Sequence, residues 1–184
     1  MPFTEVSIPG LLVFEPAVFE DSRGFFFESY NEKSFAAHGI HDRFVQDNQS
    51  KSEYGVVRGL HFQQNPYAQS KLVRVLVGKI LDVAVDIRKN SPTYGQVFSI
   101  ELSAANKKQL YIPKGFAHGF SVLSEVAEVL YKCDNFYNKQ SEGGILLDDT
   151  TLNIDWQIPS DKMIVSEKDK QNSTFDALVT NFEY

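Results

Sequence analysis

The sequence has little of what would staple, ligate or anchor it. A single cysteine, Cys133, stands among 184 residues, which excludes an internal disulfide and a cysteine-based metal cluster and fits a reducing compartment. No stretch approaches membrane-spanning length, and the opening MPFTEVSIPGLLVFEP lacks the basic start, continuous apolar core and small-residue cleavage site of a leader. The expectation is a cytoplasmic protein with no membrane association. A basic excess is also missing: 18 Lys plus Arg against 24 Asp plus Glu leave a formal charge of -6. No global positive field draws the chain to nucleic acid, so an anionic ligand needs a local basic pocket. Repeats, low-complexity tracts and Pro/Gly/Ser linkers are absent too.

The 42% hydrophobic and 13% aromatic content exclude disorder as the dominant state. The length suits one domain over residues 1–184. Period-two alternation dominates the middle of the chain. Between Lys71 and Ile87 it reads as a hairpin turning at Gly78 and Lys79. Further strands are predicted for Val97 to Leu102, Gln109 to Ile112, Phe120 to Leu123 and Ala127 to Cys133, with a turn from Ser91 to Gly95. Short strands at close spacing imply an all-β sandwich or barrel. Helical signals are few and peripheral. Asn31 can cap a helix through Ala37 that stops at Gly39, and Ser173 can cap a C-terminal helix presenting Phe175, Leu178 and Val179.

Of the four histidines, His38 and His41 sit near the predicted helix end and read as cap or loop residues, while His61 and His118 lie in punctuated strands. The run Pro113-Lys114-Gly115-Phe116-Ala117-His118 matches the Pro-x-Gly-x-x-His element by which cupin jelly rolls carry a barrel-lining histidine. A metal cupin also needs an earlier His-x-His, whereas Phe62 and Gln63 follow His61, so the metal set is incomplete and no metal is expected. Two histidines hydrogen-bonded inside a barrel are the alternative reading. Arg58 and His61 stand three positions apart, which a regular strand sends to opposite faces. A bulge at Gly59 would reunite them, with Arg58 to bind an anion and neutral His61 to act as a general base. Alone, Arg58 reads equally as half of a surface ion pair.

RGLHFQ, SKLVRVLVGKILDVAVDIRKNSPTYG, YIPKGFAHGF, YKCDNFYN and SEKDK, in that order, together resemble the dTDP-4-dehydrorhamnose 3,5-epimerase family over roughly Phe19 to Lys170. The resemblance implies a metal-free cupin jelly roll without cofactor, working as a homodimer on a dTDP-linked 4-keto-6-deoxyhexose. It implies His61 as the base, oriented by Asp169, Tyr131 as the proton donor and Lys71 as the cation at the enolate oxygen. Arg23, Glu28, Gln46, Asp47 and Asn48 match nucleotide-holding positions. Arg58, His118 and Lys168 would face the sugar or diphosphate; Tyr137 and Glu142 would face the nucleoside. Arg23 and Glu28 would serve the neighbouring subunit's site.

The chemistry of the substrate agrees with this set. Carbons 3 and 5 of a 4-ketohexose flank one carbonyl, so either deprotonation places charge on the same oxygen, and one base, one acid and one cation serve both centres. Rival readings are a mono-epimerase or ketoisomerase on a related dTDP sugar, a metal-dependent cupin, and a non-catalytic sugar-nucleotide binder.

Overall fold

The structure, a computed structural model, describes residues 2–184. Four short strands, β1 (Phe3–Glu5), β2 (Leu12–Phe14), β3 (Phe19–Asp21) and β4 (Gly24–Phe26), precede the helix α1 (Glu32–Ala36). Longer strands follow: β5 (Gln46–Glu53), β6 (Val57–Gln63), β7 (Lys71–Val77), β8 (Lys79–Asp86), β9 (Val97–Ser103), β10 (Gln109–Ile112), β11 (Phe116–Val122) and β12 (Val126–Cys133). The last is the short β13 (Glu142–Gly144).

Strands β1-β2-β10-β7-β12-β5 form a six-stranded sheet and β13-β6-β11-β8-β9 a five-stranded one, while β3 and β4 pair apart as a ribbon. All of these pairings are antiparallel. From β5 onward the chain mostly alternates between the two large sheets, the jelly-roll path, so the all-β jelly roll expected from the sequence is the fold observed.

Alternation along each strand divides the apolar residues between two sides. Val73 and Val75 of β7, Ile80 and Ala84 of β8, Phe116 and Phe120 of β11 and Val129 of β12 meet between the sheets. The opposite face of β8, Leu81, Val83 and Val85, is covered by the chain after β13 through Ile145, Trp156 and Phe175. On the far side Phe35 of α1 packs with Phe14, Leu72 and Tyr111. Each buried Val, Leu, Ile or Phe among them contributes about 1.5–3 kcal/mol relative to exposure, and together they fix which residues of each strand face inward.

Two expectations are corrected. The segment Lys71 to Ile87 is not a hairpin: β7 and β8 lie in different sheets, and Gly78 turns the chain across the edge between them. Gly78 has φ +73°, and a Cβ there would lie 2.0 Å from the Val126 carbonyl oxygen. The C-terminal helix from Ser173 is absent. Ser173 instead bridges Ile145, the Phe175 N–H is held by Asp149 Oδ2 at 2.8 Å, and Phe175 is buried against β8. Tertiary burial of one aromatic overrides the local helical signal. The N-terminal helix forms as expected, with Asn31 Oδ1 accepting from Lys33 N at 3.0 Å and Ser34 N at 3.3 Å.

Because left-handed backbone and a backbone clash coincide at Gly78, Gly78→Ala should lower stability by about 1–3 kcal/mol. The check is the urea midpoint, which should drop at unchanged slope; an unshifted midpoint would show that the crossing tolerates a side chain.

Candidate active site

At one end of the sandwich the inward apolar residues give way to polar ones. Lys71 continues the Val73–Val75 face of β7, Tyr131 the Val129 face of β12, and Asp82 and His118 interrupt the faces of Ile80–Ala84 and Phe116–Phe120. Lys71, His118 and Tyr131 line a cavity of about 560 Å³ together with Asn48, Arg58 and His61, and Asp82 lies behind His118. A second lobe of about 420 Å³ shares Asn48, His61, Lys71 and Tyr131 and adds Gln46, Tyr137 and Glu142. Both lobes are of a size that takes small molecules.

The bulge anticipated at Gly59 is present. His118 stands opposite His61 and Phe120 opposite Arg58, so Gly59 and Leu60 of β6 face Gly119 alone. Two residues against one restore Arg58 and His61 to the same face, and both line the cavity. Arg58 reaches its mouth and is steadied by Ser52, whose Oγ accepts from Nε and Nη2 at 3.1 Å.

His61 Nε2 lies 2.6 Å from Asp169 Oδ1. The turn Ser166–Gln171 presents that carboxylate, its Asp169 N–H donating to Ser166 O at 3.1 Å. With the carboxylate accepting from Nε2–H, Nδ1 is the ring nitrogen left to take a proton. Tyr131 comes from the opposing sheet. Burial, aided by Cys133, pushes its phenol above the ordinary tyrosine range, against the pull of Arg58 and Asn48. The phenol therefore keeps its proton at neutral pH. Lys71 Nζ lies 5.8 Å from the centre of the Tyr131 ring and 3.4 Å from His118 Nδ1. Burial pulls Lys71 below the ordinary lysine range, while Cys133, Asp82 and Glu142 raise it.

Around this centre Lys168 pairs with Glu142 at 2.5 Å, and Tyr137 Oη donates to Glu142 Oε2 at 3.1 Å. Gln46 Nε2 donates to Asn48 Oδ1 at 3.1 Å along β5. Asp47, predicted beside them, is not brought to the cleft: period-two alternation turns it outward, where it pairs with Lys132 at 3.0 Å. Arg23 and Glu28 also lie outside their own chain's cleft. Arg23 forks onto Asp21 on the β3–β4 ribbon, with Nη2 at 2.6 Å from Oδ2, and Glu28 accepts from Asn31 Nδ2 at 3.1 Å. Sequence reasoning missed Asp82 and Ser52. Asp82 carried a signal, a carboxylate at an inward position of the apolar run KILDVAVD.

His118 is buried with its Nε2 2.8 Å from Asp82 Oδ1. Burial holds its pKa below the ordinary histidine value, the attraction of Asp82 opposing and the charge of Lys71 assisting. The unfolded chain, with imidazole near the usual value of about 6.5, binds more protons, so stability should fall as pH drops below that value. Urea titrations from about pH 7 to pH 5 should show a flatter acid slope for His118→Gln than for the unaltered chain; equal slopes would assign the acid sensitivity to another group.

Comparison with known proteins gives consistent findings. The sequence model of the family described as dTDP-4-dehydrorhamnose 3,5-epimerase matches residues 5–177. The dTDP-4-dehydrorhamnose 3,5-epimerase of Shigella flexneri is 55% identical over 176 residues, covering 95% of this chain and 96% of its own. The crystal structure of the enzyme of that name from Elizabethkingia anophelis NUHP1 superposes with a TM-score of 0.92 at 54% identity, covering 95% of this chain and 96% of its own. A dTDP-6-deoxy-D-glucose-3,5-epimerase from Legionella pneumophila Philadelphia 1, solved in complex with dTDP-4-keto-L-rhamnose, gives a TM-score of 0.92 at 46% identity, covering 96% and 94%.

Proposed function

The chain belongs to the dTDP-4-dehydrorhamnose 3,5-epimerase family, and from that premise we propose how its residues share the work. The protein is an isomerase that converts dTDP-4-dehydro-6-deoxy-D-glucose to dTDP-4-dehydro-L-rhamnose by inverting carbons 3 and 5. In our reading His61 Nδ1 removes the proton from carbon 3 or carbon 5. The electron pair moves onto the 4-oxygen, where the Lys71 ammonium meets the developing enolate. Tyr131 then delivers a proton to the opposite face of the same carbon. The imidazolium and phenolate left behind return to their starting states by proton exchange with water, and the second carbon undergoes the same sequence. Since the enolate oxygen is common to both carbons, the chemistry requires neither hydride carrier nor metal.

The observation that carries this reading is the placement of His61 and Tyr131 on opposed sheets, lining one cavity with Lys71. The wider lobe, with Arg58, His118 and Lys168, suits the sugar and diphosphate. The adjoining lobe, with Gln46, Tyr137 and Glu142, suits the nucleoside, Tyr137 offering an exposed ring for stacking. A homodimer completes the proposal. Phe19 and Phe26 on the β3–β4 ribbon are 67% and 72% exposed. A partner covering them would bury this apolar surface and carry Arg23 and Glu28 to its neighbour's cleft. Cytoplasmic residence belongs to the same reading, in keeping with the free thiol of Cys133.

Incubation with dTDP-4-keto-6-deoxyglucose in deuterated water, followed by NMR, should show deuterium at both carbon 3 and carbon 5; label at one carbon alone would replace the reading by mono-epimerisation. His61→Ala should lose roughly 100-fold to 10,000-fold in turnover while still binding nucleotide. Tyr131→Phe should exchange substrate hydrogen yet form inverted product slowly. Unaltered rate and stereochemistry in either variant would remove that residue from its role.

A further inference from the structure

We infer that Asp82 is a positioning residue for the epimerisation, keeping Lys71 charged and aimed at the cavity through His118. The inference rests on the enolate role proposed above for Lys71.

Asp82 is wholly buried in the middle of β8, and only one of its oxygens is satisfied: Oδ1 takes His118 Nε2 at 2.8 Å, while Oδ2 has no partner. A buried carboxylate oxygen without a donor is costly and rare, so its presence calls for a compensating charge. The nearest formal cation along this chain of contacts is Lys71. With Asp82 accepting from Nε2–H, His118 is a neutral ring whose Nδ1 lone pair faces Lys71 Nζ at 3.4 Å. One ammonium hydrogen is thus drawn toward His118, orienting the head group, and the negative charge behind the imidazole offsets the burial of the positive one.

The other groups facing Lys71 do not replace that charge. From β12 come the neutral phenol of Tyr131 and the thiol of Cys133, which burial pushes up to about 11. From β6 comes His61, already engaged by Asp169. From β13 comes Glu142, whose carboxylate is tied to Lys168 at 2.5 Å. Asp82 is the carboxylate linked to Lys71 through a single side chain.

Asp82→Asn tests this with minimal change of shape, since the amide oxygen can still accept from His118 and only the charge is lost. Two readouts are needed: the titration of the Lys71 ammonium, followed by 15N NMR, and turnover against pH. The midpoint of Lys71 should fall by about one unit or more, and turnover should decline about tenfold more between pH 7 and pH 9 than in the unaltered enzyme, with little change in KM. A Lys71 midpoint that stays put overturns the inference and leaves Asp82 a structural residue. A midpoint that falls while the rate profile stays put upholds the link to Lys71 and overturns the enolate role of Lys71. Independently of any variant, the 15N shifts of His118 in the unaltered protein should show a proton on Nε2 and a bare Nδ1; a proton on Nδ1 breaks the relay and overturns the inference.

Discussion

Two residues of β6 opposing one residue of β11 set the geometry on which the cleft depends. Without that extra residue, Arg58 and His61 would point to opposite sides of the five-stranded sheet, one into the cavity and one under the segment that packs on Leu60 and Phe62. The bulge demands a paired absence of side chains. A Cβ on Gly59 would lie 2.6 Å from Gly119 Cα, and one on Gly119 would lie 2.6 Å from the Arg58 carbonyl oxygen. Gly59 also sits at φ +132°, a region closed to other residues. Two backbones therefore approach where side chains would normally hold them apart, and the guanidinium and imidazole turn together as a result.

Electrostatics follow from the same packing. The protein carries a formal charge of -6, yet its cavity is lined by Arg58, Lys71 and Lys168. An anionic ligand is thus drawn by the local arrangement, not by the whole molecule. The basic groups differ in how they are held. Lys168, exposed, leans on Glu142, and Arg58 makes only neutral contacts with Ser52. Lys71 is half-buried and burial already pulls it below the ordinary lysine range, so its charge is the one most sensitive to what lies behind it.

Much of this was legible in the residues. Strand positions followed from period two, because inward and outward faces differ sharply in polarity, and the Asn31 cap marked the only α-helix among the described residues. The Arg58–His61 spacing even required the bulge that is found. Two of the misreadings share a cause, since each needed information from a distant part of the fold. Nothing local to Val77-Gly78-Lys79 tells a hairpin from a crossing between sheets. Phe175 looks helical until β8 is there to bury it. Asp47 lies between two cleft residues in sequence and, for that very reason, points away from the cleft. Asp82 was visible as a charge in an apolar strand, but its partner His118 stands 36 positions away.

The cleft holds two imidazole–carboxylate pairs on directly opposed residues, His61 with Asp169 and His118 with Asp82. Chemically they are alike, and what separates them is the element that supplies the acid. Asp169 comes from a turn at the surface, which leaves the His61 side chain 34% exposed. A base that gives up and regains protons in each cycle needs that access. Asp82 comes from the centre of a strand, which seals His118 between the sheets. A ring so deeply buried, with Nε2 tied to a carboxylate, is better suited to hold one tautomer and hand a fixed field to the neighbouring lysine than to exchange protons with water. Burial alone, acting on the same pair of functional groups, thus separates the two roles proposed above, proton transfer for His61 and charge placement for His118.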